Sequence, residues 1–296
     1  MLTRRGFTMI ELLVALVLLG LVSAAVYRVL VNNQRVYMAQ TQRIDLSQNI
    51  RAATSILPAE FRELSSSEGD ITNSPLSATR LDIRAMRWLG FICSAPVMGV
   101  PLAGVSFVIR SGAPNLPLFF GRAINIVTDS VLVYYDGNPN IMLDDFWALG
   151  RPTGTQAANC PDGRPGVRLT FATGLGVTNA QNILGAIPVG APVRGFERVS
   201  YQLYQPSGDT SYYIGLQPSG QSVPQPLIGP VLSNGLTLTY FDSTGAVTAN
   251  RLKVARIDFT VRARSRTAVK KGGSGKLLII ADSVTSSVAL RGNRRF

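Results

Sequence analysis

Glu11 is the residue whose chemistry stands out, because it is the only charge between Phe7 and Tyr27. The run Leu12 to Val26 that follows it holds only apolar residues, Gly and Ser. As a helix rising ~1.5 Å per residue, residues 7–27 span about 31 Å, enough to cross a bilayer's hydrocarbon core. A carboxylate opposes such insertion by up to ~3 kcal/mol at the centre of a span, less near an end, so one kept there points to a function of its own. Arg4 and Arg5 precede the span. By the positive-inside rule they hold the amino terminus in the cytoplasm and send everything after Tyr27 outside.

Other candidate chemistry is sparse. No His occurs in the 296 residues, which removes His general bases, His metal ligands and the Ser-His and Cys-His nucleophile pairs. Acid pairs such as Asp144 and Asp145 lack a working partner, and the serines lack a base, so no catalytic residue, cofactor or metal site is expected. Asp136-Gly137-Asn138-Pro139-Asn140 with Asp144 and Asp145 begins like a calcium loop, but Ile141 stands where that loop needs Gly and Trp147 where it needs Glu. An Asp-Gly hairpin turn is the simpler reading. Cys93 and Cys160 are the only cysteines. On the oxidising side of a membrane such a pair forms one disulfide, closing a loop of about 68 residues and worth on the order of 4 kcal/mol in the chain-entropy picture. Two buried thiols are the alternative.

The net charge of +12 suggests an anionic partner such as DNA, lipid headgroups or surface polysaccharide. All but four of the 29 cations are Arg. The dense patch is Arg262, Arg264 and Arg266 followed by Lys270, Lys271 and Lys276 in a Gly-rich loop that lacks the spacing of a P-loop. DNA contact there would be salt-sensitive and independent of sequence. No aromatic residue is interleaved to stack bases, so a solvated hairpin face or a subunit contact accounts for the same residues.

The elements that must carry these residues are a long helix and a sheet. After Arg28 neither Gly nor Pro occurs until Pro58, and Leu46, Ile50, Ala53, Leu57, Phe61 and Leu64 recur at three- or four-residue steps. One helix is expected over residues 7–64, transmembrane over about 7–27 and laid on a soluble domain by its second half, with a kink or a separate last turn at Pro58. Residues 65–120, rich in Pro, read as a variable connecting region with strand-like runs at 80–86 and 106–110. Residues 121–296 read as an antiparallel β domain with strands at 123–127, 131–135, 167–172, 196–204, 211–216, 236–241, 253–264 and 277–291. The clearest alternation sets Ala255, Ile257, Phe259, Val261 and Ala263 on one face against Arg256, Asp258, Thr260, Arg262 and Arg264 on the other.

Gly6-Phe7-Thr8-Met9-Ile10-Glu11-Leu12 resembles the class III signal of type IV prepilins and type II secretion pseudopilins. The resemblance implies that prepilin peptidase cuts between Gly6 and Phe7 and that Phe7 is N-methylated. It implies a pairing role for Glu11, which in a stack of subunits would face the α-amine of a neighbour's Phe7; a lone carboxylate is costly there and a pair much less so. Two other readings stand beside it. A secretory signal peptide could end at Ser23-Ala24-Ala25, though Glu11 fits its apolar region poorly, and in a plain membrane anchor Glu11 would snorkel to the interface. Major pilins often carry a helix-loosening Pro where this chain reads Tyr27-Arg28-Val29, which argues against a major-subunit role. Toward the carboxy terminus, Phe196 to Tyr204, the turn Pro206-Ser207-Gly208, Pro226-Leu227-Ile228, Val254 to Ile257 and Thr285 to Arg291 look like PilW-like minor pilins and J-type pseudopilins. This likeness implies an α+β pilin fold, a long N-terminal helix on antiparallel sheet, behind a leader of residues 1–6. The implied function is a non-enzymatic minor pilin priming type IV pilus assembly or sitting at the tip. The alternatives are a type II secretion pseudopilin and a membrane-anchored DNA-binding or adhesion module. The partners would be prepilin peptidase, other minor pilins or pseudopilins, and the inner membrane, crossed once with the carboxy-terminal domain periplasmic before export to the pilus or cell surface.

Overall fold

In the computed structural model, which describes residues 8–98, 104–113, 116–117, 120–138, 140–141, 145–172, 187–270 and 276–291, α1 (Met9–Arg62) is one helix of 54 residues. It continues through Pro58 instead of ending or restarting there. Proline removes the amide that would bond the carbonyl of Thr54, but Thr54 lies on the exposed face, where water can serve that carbonyl. Of the expected stripe, Leu46, Ala53, Leu57, Phe61 and Leu64 are buried and Ile50 is half-buried.

The strands are β1 (Arg80–Met98), β2 (Val105–Ala113), β3 (Leu116–Pro117), β4 (Phe120–Gly121), β5 (Asp129–Tyr135), β6 (Phe146–Gly150), β7 (Gly154–Asn159), β8 (Pro165–Phe171), β9 (Pro192–Tyr204), β10 (Tyr212–Pro218), β11 (Gln225–Phe241), β12 (Arg256–Arg264), β13 (Val269–Lys270), β14 (Leu277–Leu278) and β15 (Ala281–Ala289). All but β13 and β14 belong to one sheet, whose main path runs β15-β12-β11-β10-β9-β1-β2-β8-β7 and whose strands pair antiparallel. β9 is where the sheet forks: one edge follows β1, while the other pairs with β5 through Val193 to Glu197 and with β10 through Val199 to Tyr204.

Two cores result. The lobe beside the helix packs Leu57 and Phe61 on Leu81, Ile83, Tyr201, Ile257 and Phe259. Phe61 meets Tyr201 and Phe259 edge-on, with centroids 5.9 and 6.1 Å away. The far lobe has no helix among the described residues and packs Trp88, Ile92, Phe107, Val131, Leu169, Phe171 and Val193. β1 and β9 run through both. The register of β1 shifts between Met86 and Trp88, so Arg87 is an extra residue at the crossing from one lobe to the other. Beyond it Trp88 lies over Gly195, where an added Cβ would fall 1.9 Å from the indole.

Several expectations need correction. Residues 65–120 do not stand apart as a connecting region, since β1 and β2 lie mid-sheet and the sheet has no seam at residue 121. Residues 123–127 are not a strand: the Asn125 side chain accepts the Val127 amide and the Asp129 carboxylate accepts the Asn125 amide, folding the segment into a turn. Lys253 falls in a 3-10 turn before β12, and 277–291 divides into β14 and β15. β6 and β7 are strands beyond those expected. The alternation in β12 is as read, with Ile257, Phe259, Val261 and Ala263 buried.

Candidate assembly site

Thr8 and Glu11 form a reciprocal cap at the start of α1. The Thr8 amide and hydroxyl both donate to Glu11 Oε2 at 2.9 Å, and the Glu11 amide donates to Thr8 Oγ1 at 3.4 Å. This is the Thr-x-x-Glu capping box, whose carboxylate also sits well against the positive end of the helix dipole. Glu11 Oε1 accepts no hydrogen bond from the described residues. From Met9 through Leu30 every residue is exposed, so none of the described residues covers the apolar half of the helix. By length and composition this half can cross a membrane.

The second half is held by a chain of charges as well as by its apolar stripe. Arg87 donates to Glu60 on α1 at 3.1 Å and to Glu197 on β9 at 3.3 Å. Glu197 lies 3.5 Å from Arg122, which binds Asp129 with both of its terminal nitrogens, at 2.6 and 3.1 Å. Asp129 is fully buried and also accepts the Trp88 indole N–H at 3.0 Å. Burial works against the Arg87 charge, but Glu60 and Glu197 outweigh it and hold the guanidinium pKa above its ordinary value. Burial, followed by the charge of Glu60, pushes the Tyr201 phenol well up, so it stays neutral beneath them. The network ties helix, β1, β9 and β5 together. Its members are scattered through the sequence with no motif to join them, and sequence reasoning misses them. It misses the Thr8–Glu11 box too, although there the Thr-x-x-Glu spacing is a signal that could have found it.

Residues 1–27 match the prokaryotic N-terminal methylation motif. No curated protein and no solved structure matches the chain. The motif indicates a type IV pilin-like or pseudopilin precursor, which implies processing by prepilin peptidase and assembly with other pilins, and it suggests a structural protein. With the exposed apolar helix it fits a membrane-anchored single-pass protein.

On this pilin-like frame the other expected residues take their places. Gly6, Phe7 and Lys271 lie outside the described residues. Cys93 and Cys160 are bonded to each other, joining β1 to the turn before β8. Asp162 in that turn accepts the Arg110 guanidinium, which holds its carboxyl below the ordinary range. Residues 136–145 connect β5 to β6; Asp144 falls outside the described residues, and no cluster of metal-ligating side chains occurs among those described. Of the described members of the expected basic patch, two are tied into the fold. Arg262 is spread across β11, donating to the Asn234 carbonyl and Thr237 hydroxyl at 2.9 Å each, while Arg264 turns to the Ser265 carbonyl. The Arg266 amide donates to Gln42 of α1 at 2.9 Å, and its side chain is exposed, as is that of Lys276.

Proposed function

We propose that this chain is a minor pilin of the type IV pilus machinery, made as a prepilin and joining other minor subunits in the complex that primes assembly or occupies the tip. The observation that carries the reading is the methylation motif on a helix whose apolar half the described residues leave uncovered. A lone helix of that kind needs either lipid or the helices of neighbouring subunits, and a pilin uses both in turn. Arg4 and Arg5 ahead of the span support a cytoplasmic amino terminus. The Glu11 oxygen left over from the cap supports a pairing with the α-amine of a neighbour's Phe7.

Processing is the first test. Mass spectrometry of the membrane-purified protein should find N-methylated Phe7 at the amino terminus, and Gly6→Trp should leave the precursor uncut. A chain beginning at Val26 would instead identify a secreted protein. Complementation is the second test: the deletion strain should lose sheared surface pili and regain them with the wild-type gene. Loss of a secreted substrate with normal piliation would move the assignment to a type II secretion pseudopilin.

A further inference from the structure

On β9, Val199 and Tyr201 are buried in the core beneath α1, so Arg198, Ser200, Gln202 and Tyr204 alternate onto the opposite side of the sheet. Arg198 is exposed there and the other three are half-buried. From Arg198 to Tyr204 the strand rises about 20 Å. Its neighbours widen the strip: Gly215 and Gln217 of β10 lie opposite Gln202 and Ser200, and Arg80 and Asp82 of β1 lie opposite the same two residues.

Two tyrosines close one end of the strip. Tyr204 lies opposite Tyr213, with ring centroids 6.3 Å apart. A Cβ added to Gly215 would fall 2.4 Å from the Tyr204 ring, and one added to Gly229 would fall 2.6 Å from the Tyr213 ring. Both rings therefore rest on bare backbone, leaving their outer surfaces to a partner. In the middle of the strip the polar side chains hold one another in place. Gln202 donates to Gln217 at 2.6 Å and Gln217 to the Gln221 carbonyl at 2.7 Å, while Arg80 donates to Asp82 at 2.7 Å and to Ser200 at 3.2 Å. Each glutamine spends one N–H on this ladder and keeps a second.

At the other end the sheet opens. β5 and β10 leave the same edge of β9 on either side of Arg198, and the wedge between them is a cleft of about 800 Å³ walled by Ser130, Leu149, Arg151 and the turn at 218–221. A second cleft of about 320 Å³ adjoins it over Arg80 and Ser200, and Arg198 lines both. Such volumes suit small-ligand sites. Glu197, the acid in the larger cleft, is taken by Arg87 and Arg122. The Arg198 guanidinium makes no hydrogen bond or ion pair with the described residues, and it stands directly opposite Arg84. Like charges so placed destabilise a sheet. Burial lowers the Arg84 pKa, and the charges of Arg198, Arg251 and Arg194 lower it further against the pull of Asp70. Asp70 is fully buried and binds Arg194 at 2.9 Å, whereas Arg84 and Arg251 turn to the carbonyls of Glu68 and Ile71. Four guanidinium groups thus share one internal carboxylate, and Arg198 is the exposed one.

We propose that this face of the sheet binds an acidic glycan lying along β9, with a carboxylate or phosphate on Arg198, hydroxyls on Ser200, Gln202 and Gln217, and a sugar ring over Tyr204 and Tyr213. Sugar hydroxyls both donate and accept, as the serine and glutamine side chains do, and the C–H face of a sugar ring packs on an aromatic one. Single-stranded nucleic acid suits the strip less well. It carries a phosphate at every nucleotide, whereas Arg80 is already paired with Asp82 and only Arg198 along the strip is a cation without a partner. The face points away from α1, so it stays open whether the helix lies in lipid or among other helices.

The full chain in detergent, with its disulfide intact, is titrated with a galacturonic acid tetramer, with the methyl ester of that tetramer, and with a mannose oligomer bearing phosphate. The free acid should bind about ten-fold or more tightly than its ester, the size of one charge-assisted hydrogen bond. Arg198→Gln should erase that difference without lowering the melting temperature, since it removes a like charge opposite Arg84. Tyr204→Ala should weaken acid and ester alike by several-fold; should it not fold, Gln217→Ala on the exposed ladder is read in its place. Tighter binding of the phosphorylated oligomer than of the uronate supports the site and assigns its anion to phosphate. No binding of any of the sugars at millimolar concentration, or affinities that neither substitution moves, would overturn the proposal. Tighter binding of oligothymidine or polyglutamate than of every sugar would overturn it as well, and give Arg198 to nucleic acid or to an acidic protein.

Discussion

Glu11 caps the helix in this structure, and substitutions can separate that role from the pairing proposed for its charge. Its Oε2 closes the capping box with Thr8, and its charge is available to a neighbour. Gln at the same position can still reach back to the Thr8 amide, since Glu and Gln both serve in this box. Glu11→Gln should therefore keep the helix start and lose only the charge. It should be cleaved and inserted like wild type, yet recovered several-fold less with other minor subunits from solubilised membranes, because a neighbour's ammonium would then lie in a low-dielectric core without its counter-charge. Thr8→Val does the converse, weakening the cap by about 1 kcal/mol while keeping the carboxylate, and should assemble. Undiminished co-purification of Glu11→Gln would sink the pairing mechanism. The turn acids offer a second test outside the membrane. Asp209 accepts the Ser211 amide and the Tyr213 hydroxyl, and Asp242 accepts the Thr244 hydroxyl and amide. These bonds hold both carboxyls below their ordinary value of 3.8. A carboxyl depressed in the folded state adds stability above its unfolded pKa and loses it as pH falls through the folded one. Melting temperature should thus decline from about pH 4 downward, and less steeply in an Asp209→Asn, Asp242→Asn double variant.

At the scale of elements, the docking of α1 depends on one side chain more than any other. Phe61 is fully buried with two aromatic rings edge-on to it, so Phe61→Ala should cost about 3–5 kcal/mol and free the end of the helix, read as a lower melting temperature and faster hydrogen exchange at residues 53–62. The legible part of the sequence obeys the same physics. A three-to-four residue apolar stripe marks a helix with one dry face, and α1 shows it from Leu46 to Phe61. Strict alternation marks a strand with one dry face, and β12 shows that. β1 is legible only as far as Met86, because its register shift at Arg87 breaks the alternation and Pro96 falls near its end. β7 is Gly-Thr-Gln-Ala-Ala-Asn, a strand by virtue of its partner β8 and not of its own residues. The site divides in the same way: Glu11 is an anomaly visible in one line of sequence, whereas Glu60, Arg87, Glu197, Arg122 and Asp129 become neighbours only when β1 and β9 bring them together.

At the scale of the whole molecule, the two lobes share β1 and β9 but have separate cores, and two devices secure the far one. The Cys93–Cys160 bond closes a loop wholly inside that lobe's sheet. Cys160→Ser should lower stability by on the order of 4 kcal/mol in the chain-entropy picture, with hydrogen exchange quickening in β2, β7 and β8 and little change in β11 and β12. Arg87 acts at the junction instead. Its side chain is 18% exposed, and its partners Glu60 and Glu197 are 26% and 15% exposed. Removing the cation leaves two carboxylates facing one another across the crossing, with Arg122 already engaged by Asp129. Breaking a fully buried pair costs about 3–5 kcal/mol; partial exposure puts Arg87→Gln nearer about 2 kcal/mol. The distinguishing result is the pattern of exchange. Arg87→Gln should release the end of α1 and the start of β5 together, since one guanidinium holds Glu60 to Glu197 and Glu197 in turn meets Arg122. A companion Glu60→Gln should recover part of the loss by removing one of the stranded charges. If Arg87→Gln loosens only residues 60–62, or if Glu60→Gln deepens the loss instead of relieving it, the lobes are joined by packing around Trp88 and Gly195 and the charge network is incidental to their alignment.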